Sequence, residues 1–239
     1  MLCSVELPVK YLKDFSKYFD FDFVIASTCL FYPEYFEFYK SKSRFMILDN
    51  GAFETGRSIN TQEYYEIAKQ LNPDILVLPD VFKNEVGTMD LSLSFLKFWK
   101  NNKIKNIELM GVLPGETPNR ILAEYEGFKK EGVQWFGLPY SSMIDRFQFL
   151  KAHPEIENVH ILGLPTLNEV LSLCLLPNVK SIDSSLPVKC TGTDNFISKC
   201  LTSNCPVLPD RVDLNESKLE YNLEFFSNAC HNECLILRR

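Results

Sequence analysis

Apolar residues along this chain come in short, almost unbroken runs bounded by turn residues. They are "FVIAST" (23–28), "FMILD" (45–49), "ILVLPD" (75–80), "IELMGVLPG" (107–115), "WFGLPY" (135–140), "VHILGL" (159–164) and "VKSIDSS" (179–185). A strand with one wet face alternates apolar and polar positions. Runs this continuous predict strands buried on both faces, as in a parallel sheet covered by helices.

Between the runs lie stretches of helical period: "TQEYYEIAKQL", "DLSLSFLKFWKNN", "PNRILAEYEGFKKEG" and "LNEVLSLCLL". Asn60 or Thr61, the Thr117–Pro118 pair, and Thr166 ahead of Asn168–Glu169 supply start signals for three of them. Strand and helix alternate at about 20 to 32 residues per unit, the rhythm of right-handed βαβ crossovers. Seven strands are plain, an eighth is weakest near "CPVLPD" (205–210), and a last helix is expected from Ser217 to Cys234. The expected fold is a single (β/α)8 barrel domain over residues 1–239, irregular at its eighth strand, with an open doubly wound sheet as the alternative.

Composition narrows the function classes. With 239 residues, 46% hydrophobic and 13% aromatic, the chain can bury a full core. A net charge of -6 argues against coating nucleic acid by bulk electrostatics, although a local basic patch stays compatible. There is no charged leader with a long apolar core, and no window near the roughly 20 apolar residues that span a bilayer, so a soluble cytoplasmic protein is expected. The eight cysteines are scattered, which in a reducing compartment suits buried thiols better than a disulfide framework.

In a parallel barrel the reactive residues stand at the C-terminal ends of the strands. Here those ends read Asp49-Asn50-Gly51, Pro79-Asp80, Pro114-Gly115, Gly137-Leu138, Gly163-Leu164 and Asp183-Ser184-Ser185. A single Asp at such a place caps a helix or closes a turn as readily as it catalyses. Three carboxylates at one apolar-walled mouth repel each other and lose hydration, which opens acid, base or nucleophile roles to them. The glycines fit tight turns, and also fit a flat ligand lying on the backbone beside Phe53. No strand end offers a histidine, so histidine-dependent mechanisms lose weight.

The ordered strand ends resemble the tRNA-guanine transglycosylase superfamily over about residues 23–190. "LDNGAF" is similar to that family's D-S-G-G-F-Q, "GVLPGE" to G-V-V-Q-G, "FGLPYS" to G-G-L-A-V-G, "HILGLPT" to Y-L-M-G-V-G-T and "IDSSLP" to F-D-C-V-L-P. The resemblance implies a pentosyltransferase that replaces guanine in a nucleic acid with a 7-deazaguanine base, and the short chain looks more like the DNA-modifying branch than the tRNA-modifying one. By that resemblance Asp183 is the nucleophile and Asp49 the proton shuttle. Asp80, Asn50, Gly51, Phe53, Gly115, Gly137, Leu138 and Leu162 contact the base. Among the lysines available to meet phosphate, Lys189 is favoured by its position.

Departures accompany the match. Pro114 replaces the family's base-reading glutamine, and the D-E-C continuation after Asp80 is missing. The implied partners are a DNA or tRNA substrate and a guanine or 7-deazaguanine base, within a host cytoplasm if the chain is phage-encoded. No cofactor is expected. A zinc site drawn from Cys200, Cys205, Cys230, His231 and Cys234 is the unfavoured alternative, because C-x4-C followed by C-H-x2-C does not reproduce the family's spacing. The lysines of "KFWKNNKIK" (97, 100, 103 and 105) read as a solvated helix face. Two rival functions use the same residues: a small-molecule barrel enzyme (nucleosidase, lyase or isomerase) and a catalytically idle barrel that binds a base or a partner.

Overall fold

The computed structural model describes residues 1–41, 43–142, 144–164, 166–199 and 213–231. Eight parallel strands run in the order β1-β8-β7-β6-β5-β4-β3-β2. They are β1 (Leu2–Val5), β2 (Asp22–Ile25), β3 (Met46–Asp49), β4 (Ile75–Val77), β5 (Glu108–Val112), β6 (Trp135–Pro139), β7 (Val159–Leu162) and β8 (Val179–Ser184). With helices alternating between them, this is a nearly closed (β/α)8 barrel with one unsealed seam, between β1 and β2.

The continuous apolar runs are what such a sheet requires, because alternate side chains enter two different cores. Phe23, Ile25, Ile47, Ile75, Val77, Met110 and Val112 point inward and fill the barrel. Their neighbours Val24, Leu48, Leu76, Leu138, Ile161 and Ile182 point outward under the helices.

Helix starts follow the expected chemistry in part. The Asn60 side chain accepts from the Gln62 amide to open Thr61–Leu71, and Thr166 accepts from Glu169 to open Leu167–Leu173. Thr117 stands at the start of Pro118–Lys130 without a side-chain cap, leaving Pro118 to begin the helix with its preset φ.

The eighth strand is not where the apolar pattern put it. Residues 205–210 lie outside the described residues, and the missing strand is the N-terminal "LCSV", which pairs with β8 in the register Ser4↔Asp183 and Val5↔Ser184. Its polar Ser4 and its place ahead of the repeating units hide it from a search for apolar runs. The last helix spans Glu216–Cys230, and Cys234 lies outside the described residues.

Two side chains and one isolated backbone bond, rather than a strand ladder, stitch the seam. Asp20 donates its amide to the Cys3 carbonyl at 2.9 Å and takes the Cys3 amide on Oδ2 at 2.7 Å. Ser4 Oγ accepts from the Phe23 amide at 3.2 Å. The same Asp20 oxygen lies 3.1 Å from His231 Nε2 at the end of the last helix. Replacing Asp20 with Ala leaves the Cys3 amide unsatisfied, and should lower the unfolding free energy by about 1–3 kcal/mol. A urea curve superimposing on wild type would show that the seam does not depend on this carboxylate.

Candidate functional site

The C-terminal ends of the strands open into a cavity of about 400 Å³. Five carboxyl groups (Glu6, Asp49, Glu54, Asp80 and Asp183) and two lysines (Lys83 and Lys189) line it. Phe23, Phe53, Phe82, Tyr140, Leu162 and Pro114 supply much of its apolar wall. Asp49, Asp80 and Asp183 are the acids expected from the strand ends, while Glu6 and Glu54 were not anticipated. Glu6 follows β1, and its amide donates to the Ser184 carbonyl at 3.3 Å. Two-residue alternation turns it to the same side as Ser4, inward and beside Asp183.

Asp183 sits near the end of β8 and is 2% exposed. Its Oδ1 accepts from the Gly163 amide at 3.1 Å and lies 3.1 Å from His160 Nε2. The carboxyl of Glu6 hydrogen-bonds to Asp183, and its pKa is raised well above the ordinary Glu value, first by burial and then by the negative charges of Asp183 and Glu54, with Lys189 acting in the opposite direction. An arginine braces this corner from behind. Buried Arg146 pairs with Glu169 at 2.7 Å and donates to the carbonyls of Leu138, Leu162 and Gly163. That fixes the peptide whose amide holds Asp183.

The second group of acids is built on the β3 and β4 ends. Asp49 accepts the Gly51 amide at 2.8 Å. Its pKa is raised well above the ordinary value by burial and by Glu54, Asp80 and Asp183. Asp80 is raised to about 6 by burial, partly offset by a 2.7 Å hydrogen bond from Asn50 Nδ2. Glu54 on the rim is also raised, by desolvation first and then by Asp183 and Asp80.

The remaining expected contacts divide. Phe53, Leu162 and Lys189 line the cavity, whereas Asn50, Gly51, Gly115, Gly137 and Leu138 are not among its walls. Each has another job. Asn50 is fully buried and ties Asp80 to the Leu78 carbonyl. Gly115 donates its amide to Glu124 at 3.1 Å. Gly137 leaves room for Leu162, whose Cδ1 would stand 2.7 Å from an added Cβ, and Leu138 points outward.

Gly51 has φ +80, and an added Cβ would meet Ser27 Oγ at 2.3 Å. Gly51→Ala should therefore destabilise the fold by about 1–3 kcal/mol and displace the Asp49 carboxylate. A thermal melt within error of wild type would contradict this.

Histidine is present after all. His160 lies on β7, fully buried, with Nδ1 2.8 Å from Ser181 Oγ and its ring stacked on Phe23 at 5.4 Å between centroids. Its mid-run position kept it off any strand end, and only the inward parity of β7 signals it. At the rim, Phe53 packs edge-on against Phe82 at 5.3 Å and Tyr140 at 5.9 Å, so three loops contribute one aromatic wall.

Among the described residues no group of three or more His, Cys, Asp or Glu side chains is placed to hold a metal ion. Of the zinc candidates, Cys230 is buried against Cys3, and His231 faces Asp20. Cys200, Cys205 and Cys234 lie outside the described residues. Lys100 pairs with Glu131 at 2.9 Å, on the face expected to be solvated.

No family model and no curated protein matches the chain. Solved structures do. A 4-hydroxy-2-oxoglutarate aldolase/2-deydro-3-deoxyphosphogluconate aldolase from TTHB1 aligns at TM-score 0.56 and 10% identity, over 96% of this chain and 92% of that one. An N-acetylneuraminate lyase from Mycoplasma synoviae aligns at TM-score 0.47 and 11% identity, over 92% and 89%. Tryptophan synthase from M. tuberculosis aligns at TM-score 0.47 and 9% identity, over 83% and 68%. At these identities the likeness is one of fold.

The transglycosylase resemblance, and with it the pentosyltransferase activity, is thereby corrected. The solved barrel that aligns at TM-score 0.56 is an aldolase, and no family model supports the motif-by-motif match. Short motifs at strand ends are shared by unrelated barrels because βα turns demand Gly, Asp and Pro there.

The acids make stability fall as pH rises. Asp80 and Glu124 reach about 6 and about 7 in the fold, both chiefly through burial. Unfolded carboxyls release their protons near pH 4, so from about pH 4 to about pH 7 the native state binds more protons than the unfolded one, and its stability declines. Urea midpoints should drop across that window, and Glu124→Gln should flatten the drop. Midpoints that rise from pH 4.5 to 7 in both proteins would refute the assignment.

Proposed function

We propose that this barrel is a small-molecule enzyme of the lyase or isomerase kind, working by proton transfer between paired carboxyl groups. The observation that carries the reading is the hydrogen-bonded Glu6–Asp183 pair inside a cavity sized for a small metabolite. Two carboxyls that share a proton offer a base and an acid at one place, which is what removing a proton beside a carbonyl and returning it elsewhere requires.

In this reading Asp183, held by the Gly163 amide, is the base. Glu6 keeps its proton because burial and Asp183 disfavour its charge, and it is the acid. Lys189 stands close enough to Glu6 to oppose that shift, and its ammonium stabilises the oxyanion that forms when a carbon next to a carbonyl loses its proton. Asp49, also raised, donates a hydrogen bond to a second substrate oxygen. The Phe53, Phe82 and Tyr140 wall holds the apolar part of the substrate and excludes water from the acids. Carboxyl groups and a lysine suffice for this chemistry. The aldolase likeness in fold is compatible with it and adds no residue-level support.

The test is solvent deuterium exchange, followed by NMR, over a panel of 2-oxo acids, hydroxyketones and keto sugars incubated with the full chain. Wild type should exchange the proton next to the carbonyl of at least one compound. Asp183→Asn and Glu6→Gln should each slow that exchange by about 10²–10⁴-fold. Exchange at the wild-type rate in Asp183→Asn, or no exchange across the panel, would sink the proposal.

A further inference from the structure

A carboxyl pair divides into an acid and a base only if something decides which member holds the proton. Glu6 faces Asp183, Glu54 and Lys189. Asp183 faces Glu6, His160 and the Gly163 amide, with Asp49 and Glu54 close enough to interact by charge. Of these neighbours, His160 and the Gly163 amide both reach one oxygen of Asp183, Oδ1, each at 3.1 Å. A backbone amide can only donate. An ionised carboxylate can only accept, so Nε2 must carry a hydrogen whenever Asp183 is charged.

The rest of the imidazole's surroundings are arranged for that state. Nδ1 lies 2.8 Å from Ser181 Oγ, a hydroxyl that can turn its hydrogen toward the ring and leave Nε2–H directed at Asp183. Stacking on Phe23 at an interplanar angle of 12° holds the ring's plane. The register between β7 and β8 is also interrupted here: Val159 pairs with Val179, yet His160 pairs with Ser181. The extra residue, Lys180, is exposed and donates to the Pro177 carbonyl outside the barrel. This irregularity sets Ser181 opposite His160 and keeps Asp183 inward, as expected of a bulge that re-aims side chains beside a site.

We propose that His160 is a positioning residue that keeps Asp183 as the proton-free member of the Glu6–Asp183 pair, by holding an Nε2–H on the oxygen the Gly163 amide also caps. The proton displaced from Asp183 resides on Glu6, so His160, which lines no part of the cavity, selects which carboxyl is the acid. The inference rests on the acid–base reading above and extends it to a residue that meets no substrate.

The experiment uses the full chain and needs no substrate. In 15N-labelled protein at pH 7, the His160 resonances should show a hydrogen on Nε2. With 13C-labelled glutamate, Glu6 should titrate well above the ordinary Glu range in wild type and in His160→Gln, whose amide can restore the donor. It should fall by at least tenfold in proton affinity in His160→Phe, which keeps the stacking but cannot donate. A bare Nε2 in wild type, or an unmoved Glu6 titration in folded His160→Phe, overturns the proposal. If His160→Phe does not fold, the wild-type tautomer alone decides. Failure of the deuterium-exchange test would remove the enzyme reading while leaving this result standing or falling by itself.

Discussion

The pairing of β1 with β8 is the constraint on which the candidate site depends. β1 is four residues long and has no ladder to β2, so its place is set by β8 on one side and by Asp20, Ser4 and the Cys3 backbone on the other. That pairing puts Ser4 opposite Asp183 and, two residues on, turns Glu6 into the mouth. Without it Asp183 would be a lone buried acid on a strand end. With it, the first and last strands of the barrel jointly present a carboxyl pair.

Much of the fold was legible because a parallel barrel imposes a coarse, repeated pattern. Seven two-sided apolar runs and their intervening helices correspond to β2 through β8. The eighth strand, expected near residues 205–210, is "LCSV" instead, which is short, carries an inward Ser4, and lacks the apolar continuity that marks the others. Glu6 was lost with it. His160 was lost for a different reason: it stands mid-strand, where a polar residue reads as an interruption, and only alternation with Ile161 outward shows that it faces the barrel axis. The ordered motifs misled in turn. Asn50, Gly51, Gly115 and Gly137 serve turns, close approaches and support of other acids, which are needs of any βα junction.

Those supporting roles explain how so many acids are tolerated together. Each carboxyl whose pKa is raised loses hydration as the leading cause, and at Glu6, Asp49 and Glu54 charge on neighbouring acids adds to it. The fold answers with donors placed behind the carboxyls rather than in front of them: Asn50 to Asp80, the Gly51 amide to Asp49, the Gly163 amide to Asp183. Donors behind an acid fix its direction and leave its other oxygen open toward the cavity. Arg146 extends the same logic one layer further, because it holds carbonyls of the peptides that hold the acid and does not itself neutralise Asp183.

Because Asp49 interacts by charge with Glu54, Asp80 and Asp183, and Glu6 with Asp183 and Glu54, the protons at the mouth belong to the set rather than to single residues. The set still divides. On the β3–β4 side, Asp80 is partly relieved by Asn50. On the β8–β1 side, burial pushes Glu6 up first and the charge of Asp183 adds to it, with Lys189 acting in the opposite direction. An incoming group that carries or develops negative charge is repelled by the ionised members and drawn to Lys189. The asymmetry between the two sides, rather than the number of acids, distinguishes one end of the cavity from the other.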